Sequence, residues 1–127
     1  MLNLLSVVES PTHPLFSALY RRLGCNESRV SSMRKAISQI KSRPPDVIVC
    51  EFFYGYSNNY AGVNISNLDV MLYSLQKYSA STRVVVLVDK SEQQYVGKLE
   101  EIFPLHAVLV QPVSETAMTK ALEPLAK

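Results

Sequence analysis

Apolar positions alternate in character along the chain, in short solid runs and in stripes at helical spacing. Leu2 to Val8 is nearly all apolar and stops at Glu9-Ser10-Pro11, which predicts a buried first strand. His13-Pro14 then opens a helix whose Phe16, Leu15, Leu19 and Leu23 form a stripe, with Gly24 as its stop. A weaker second strand is expected around Val30. After it, Ser32 caps a helix carrying Met33, Ala36, Ile37 and Ile40, closed by Pro44-Pro45. Val47 to Cys50 is apolar on both faces, as in a central parallel strand covered by helices, and Glu51 stands at its C-terminal end. Asn67 is placed as the cap of a helix with Leu68, Met71, Leu72 and Leu75 inward, and Arg83 to Val88 makes a β-branched fourth strand ending at Asp89. A fourth helix is expected from Ser91 to Phe103, a fifth strand from Ala107 to Val110, and a last helix capped by Ser114 with Ala117, Met118 and Leu122 inward.

Five strands alternating with five helices, short connections and right-handed crossovers predict an α/β fold. The expected architecture is a doubly wound five-stranded parallel sheet of order 2-1-3-4-5, a flavodoxin-like three-layer sandwich. Ligand chemistry in such a fold belongs beyond the C-terminal strand ends, which carry Glu9, Ser10, Glu51, Val88, Asp89 and Gln111.

Composition agrees with one packed domain spanning residues 1–127, either a whole protein or the N-terminal domain of a longer one: 47% of residues are hydrophobic, 19% charged, and mean hydropathy is +0.05. No apolar run is long enough to span a bilayer, no basic-flanked leader opens the chain, and the expected compartment is cytoplasmic, with no membrane partner. Cys25 and Cys50 have neither zinc nor redox spacing. Net charge is +2, but residues 1–45 hold seven Lys or Arg against two acids. Without nucleic-acid motifs or interleaved aromatics this predicts solvated helix faces, and nucleic acid is not the expected partner. His13 and His106 stand far apart, and His106, before a core strand, is expected to be packed.

Pro45-Asp46-Val47-Ile48-Val49-Cys50-Glu51 and Gln111-Pro112-Val113-Ser114, at their spacing, resemble the third strand and the Lys-Pro turn of the receiver domains of bacterial two-component response regulators, CheY-like proteins. The resemblance covers essentially the whole chain. It implies an acidic pair after strand one, a phosphoacceptor Asp after strand three, a hydroxyl after strand four and a Lys after strand five, which together hold Mg²⁺, attack phosphorus and absorb the new charge. Here those places hold Glu9-Ser10, Glu51, Val88 and Gln111, and Val108 takes the place of the aromatic switch residue. The resemblance thus implies a pseudo-receiver: a non-catalytic protein-interaction module of a signalling or regulatory assembly, open to homodimerisation and needing no cofactor, with only a weak divalent site at Glu9 and Glu51.

Glu51 reads either as a fixed imitation of a phosphorylated Asp or, with more weight, as a solvated carboxylate, and its replacement by Gln is expected to change little. Two alternatives stand beside the pseudo-receiver. One is an atypical phosphoacceptor or ligand-sensing regulator; the other is a small flavodoxin-like flavin enzyme using the Ser10-Pro11-Thr12-His13 loop. The long segment from Tyr54 to Asn67, rich in Gly, Asn and Tyr, is the expected partner-binding loop through Tyr54, Tyr56, Asn58, Asn59 and Tyr60. It should lie at the C-terminal rim of the sheet.

Overall fold

The computed structural model describes residues 2–11, 13–54 and 66–126. Five parallel strands, β1 (Leu2–Val7), β2 (Cys25–Val30), β3 (Val47–Glu51), β4 (Arg83–Val88) and β5 (Ala107–Val110), form one sheet of order β2-β1-β3-β4-β5. The helices are α1 (Ser17–Arg22), α2 (Met33–Ser42), α3 (Asp69–Tyr78), α4 (Gln93–Val96) and α5 (Glu115–Ala126). This is the doubly wound topology expected from the alternation of elements.

Successive strand residues feed opposite layers, because side chains alternate across a sheet. Leu5, Val7, Ile48, Cys50, Val84, Val86 and Val88 pack with Ala36, Ile40, Met71, Leu72, Leu75, Val96 and Leu99 of α2, α3 and the α4 region. Leu4, Val47, Val49, Val85 and Leu87 pack with Leu19, Tyr20, Met118 and Leu122 of α1 and α5. β3 is buried at all five positions, which is why it reads as an uninterrupted apolar run. Ser6 and Ser17 each donate to Glu27 (2.8 and 2.7 Å), tying β1 and α1 to β2. Burial pushes the Cys50 thiol up, with the charges of Glu9 and Glu51 adding to it, so Cys50 is an inert core residue.

Three elements differ from their sequence pattern. α1 begins at Ser17 and not at Pro14, and Leu15 is 75% exposed and not part of the apolar stripe. Upstream of it His13 is buried, its N–H donating to the Ser10 carbonyl and closing a turn ahead of Pro14. The expected helix from Ser91 to Phe103 is broken into a 3-10 turn (Lys90–Glu92), four α-helical residues, and a second 3-10 stretch beginning at Gly97. Glycine is among the poorest helix formers, and the tighter stretch still turns Leu99 and Ile102 inward. Asn67 does not cap α3. Ser66 and Asp69 close that turn instead, with Ser66 N–H and Oγ donating to Asp69 and Leu68 N–H donating to Ser66 Oγ. Ser32 and Ser114 cap α2 and α5 as expected.

Candidate functional site

The C-terminal mouth of the sheet is built by the ends of β1 and β3, whose parallel register sets Val7 beside Cys50 and therefore Glu9 and Ser10 beside Glu51. Glu51 is 1% exposed. It is not the solvated carboxylate expected from its strand-end position. Its Oε2 accepts from Ser10 Oγ at 2.5 Å and its Oε1 accepts from the Glu9 N–H at 3.2 Å. His13 Nδ1 lies 3.3 Å from Oε1, an ion-pair distance without hydrogen-bond alignment. Burial raises the Glu51 carboxyl, but His13, the Ser10 hydroxyl and the Glu9 N–H outweigh it, and the group ends below the ordinary carboxylate range. Glu9 moves the opposite way: burial raises it, Asn67 pulls it down, and the neighbouring Glu51 charge raises it further.

Asn67, 6% exposed, holds the mouth together from the far side of the loop. Its Nδ2 donates to Glu9 Oε1 and to the Glu51 carbonyl, each at 2.8 Å, and its Oδ1 accepts from the Phe53 N–H at 2.7 Å. One amide thereby joins the ends of β1 and β3 to the entry of α3. Sequence reasoning missed this role and that of His13. The Ser66-x-x-Asp69 pattern, a reciprocal cap on its own, was the available sign that Asn67 was free for other work.

Beside Glu51 lies a pocket of about 290 Å³ lined by Phe52, Phe53, Leu87, Asp89, Glu92 and Gln111, among others. Gln111 and Glu51 both line this cavity, and the peptide bond between Gln111 and Pro112 is cis. Val88 is fully buried in the layer of α3 and α4 and does not line the pocket, whereas Leu87, opposite Glu51 in register, does. Neither residue offers a hydroxyl, and the Ser91 hydroxyl that does line the pocket donates to Asp89 Oδ2 at 2.5 Å. Val108 is 36% exposed on β5.

Of the segment expected to bind a partner, Tyr56, Asn58, Asn59 and Tyr60 lie outside the described residues. Its two ends are clasped by an antiparallel bridge between Tyr54 and Ser66. Tyr54, 49% exposed, stacks on Tyr95 (centroids 3.8 Å apart, planes at 15°), and its N–H donates to Glu92 Oε1 at 3.1 Å. His106 is half-buried, with Nε2 2.7 Å from the Ala121 carbonyl.

A divalent cation fits this mouth poorly. The Glu51 oxygens are engaged by Ser10, the Glu9 N–H and His13, and Glu9 Oε1 is held by Asn67. Among the described residues no group of three or more His, Cys, Asp or Glu is placed to hold a metal ion. Nor is any helix among them long and apolar enough to cross a membrane.

No protein-family model and no curated protein matches the sequence. Solved structures do match it in fold. A Francisella response-regulator receiver domain is 15% identical, with a TM-score of 0.73, 99% of this chain covered and 97% of that one. A response regulator from Burkholderia multivorans is 13% identical, with a TM-score of 0.72, 100% of this chain and 97% of that one. The receiver domain of a Pseudomonas aeruginosa sensor histidine kinase, solved with a magnesium ion coordinated in its active-site cleft, is 13% identical with a TM-score of 0.70, over 98% of this chain and 97% of that one. Sheet order, layers and near-complete coverage agree, and the chain has the receiver-domain fold of response regulators.

Proposed function

We propose that this chain is a pseudo-receiver, a signalling or regulatory binding module that accepts no phosphoryl group. The observation that carries the reading is the internal satisfaction of Glu51. A carboxylate that attacks phosphorus needs a free oxygen in line with the donor and a metal beside it, and misplacement by about an ångström costs on the order of a hundredfold. Glu51 instead spends its oxygens on Ser10, Glu9 and His13. The pocket next to it carries Asp89 and Glu92, Gln111 stands in place of an ammonium, buried Val88 in place of a hydroxyl, and the Ser91 hydroxyl is donated to Asp89, so the pocket disfavours the anion a working receiver must stabilise.

His13 alters what Glu51 can imitate. A carboxylate that is 1% exposed and whose oxygens face Ser10, the Glu9 N–H and His13 is not presented outward to a partner, so the arrangement favours a silent mouth over a constitutively active one. A divalent cation at Glu9 and Glu51 would compete with Asn67 and His13, and binding is expected no tighter than about millimolar. The flavin reading loses its phosphate cradle, since the Ser10 hydroxyl is committed to Glu51 and a phosphate there would face two carboxylates.

Incubation with acetyl phosphate and Mg²⁺, followed by intact-mass measurement, tests the reading. The expected result is unmodified protein. A stoichiometric phosphoryl adduct at Glu51 would establish the atypical phosphoacceptor instead.

A further inference from the structure

The largest change that folding makes to the sequence picture is on the outer surface of α2 and α3. By sequence the basic residues of α2 have no aromatic company, but the fold lays α3 alongside, and the ring of Tyr78 receives Lys41 Nζ at 5.5 Å and Lys77 Nζ at 5.4 Å from its centroid. Arg34 and Lys41, seven residues apart, fall within about 20° of each other around α2, so both lie on the flank that adjoins α3. On α3, Val70, Tyr73 and Lys77 share one outward stripe, with Val70 52% and Tyr73 55% exposed. α2 contains no acidic residue, and the single acid of α3, Asp69, is 2% exposed and engaged with Ser66. The outcome is a cationic surface that also carries exposed apolar and aromatic side chains.

We propose that this α2–α3 face docks an acidic segment of a protein partner that carries apolar side chains between its carboxylates. The inference deepens the binding-module reading and rests on it. Charge complementarity chooses the occupant: among the described residues no ion pair engages Arg34, Lys41 or Lys77, so a partner's carboxylates gain attraction without displacing an internal pair. Val70 and Tyr73 beside them are large apolar surfaces that a carboxylate alone does not cover, and they suit Leu- or Phe-like groups. A single-stranded nucleic acid is the poorer fit, because its bases need bare aromatic faces and the Tyr78 ring already carries two ammonium groups, while its backbone has nothing apolar to set on Val70.

The test is fluorescence anisotropy on the full chain with two labelled probes, a helical peptide bearing Glu flanks and a Leu stripe, and an oligothymidylate of equal charge. The peptide is expected to bind saturably and the oligonucleotide more weakly. Lys41→Glu/Lys77→Glu should weaken peptide binding roughly tenfold or more. Tyr73→Ala should weaken it by roughly fivefold, and Lys120→Glu, a charge reversal at an exposed position of α5, should leave it unchanged. All these side chains are on the surface, and circular dichroism would confirm that the variants fold. Absence of saturable peptide binding, indifference to the charge reversal, or tighter binding of the oligonucleotide would each overturn the docking surface while leaving the acetyl phosphate result as it stands. A phosphoryl adduct would overturn the reading of the mouth without touching the peptide result.

Discussion

His13 Nδ1 stands 3.3 Å from Glu51 Oε1 with both side chains only 2% exposed, so an imidazole from the loop after β1 is buried against the carboxylate at the end of β3. Truncating one partner leaves the other buried with less compensation, and such losses exceed those of surface pairs. Glu51 keeps its bonds from Ser10 and Glu9, which limits the damage. His13→Ala is therefore expected to lower unfolding free energy by about 2 kcal/mol. Glu51→Gln, which by sequence alone should change little, is expected to cost about 1–2 kcal/mol, because an amide nitrogen would meet a hydroxyl or N–H donor. Urea denaturation of both single variants and the double variant checks this, and strictly additive losses would mean that the two side chains do not interact.

Acid should act on the mouth in two opposed steps. Glu9 is raised above the reference value of 4.5, so its contribution is fully present below the unfolded value and is lost as pH rises through the folded one. Glu51 is lowered, so its contribution is present above the unfolded value and is lost as pH falls through the folded one. On acidification from neutrality, protonation of Glu9 first adds stability, and protonation of Glu51 then removes it below the ordinary carboxylate range. Denaturation midpoints measured across the acid range should show Glu9→Gln abolishing the first limb and Glu51→Gln flattening the second. An unchanged profile in Glu9→Gln would contradict the assignment.

Asn67 is expected to be among the more sensitive polar positions of the chain. Asn67→Ala deletes two donated bonds and one accepted bond in a buried setting, leaving the Phe53 N–H and the Glu51 carbonyl without this partner. The expected loss is about 2–3 kcal/mol. Asn67→Asp should be at least as costly, since a carboxylate would face Glu9. Amide hydrogen exchange at Phe53 should accelerate in both variants, and retained protection would show that another group holds that N–H.

Tyr54 and Tyr95 tie the start of the long loop to α4 through ring stacking. A double-mutant cycle with Tyr54→Ala and Tyr95→Ala should return a coupling of about 0.5–1.5 kcal/mol. The effect should sit on the loop's anchorage, with the core transition otherwise intact. Zero coupling would place the two rings apart in solution.

Much of the scaffold was legible in the chain itself, because burial on two faces leaves a solid apolar run and burial on one leaves a stripe. Val47 to Cys50, Arg83 to Val88 and the stripe of α3 needed no tertiary knowledge, and the parallel order followed from short crossovers. The nearness of Glu9, Ser10 and Glu51 was equally readable, since a doubly wound sheet gathers its strand ends at one rim. Tertiary structure alone decided what those residues do there. Whether Glu51 meets water or His13 depends on the course of the loop after β1, which leaves no periodic trace in the sequence. The same holds for Asn67, whose amide suits a cap and a bridge equally, and for Tyr78, whose cationic neighbours come from two helices. Patterns of burial are local and repeat along the chain, but a polar partner is chosen by distance in three dimensions, which only the folded chain defines.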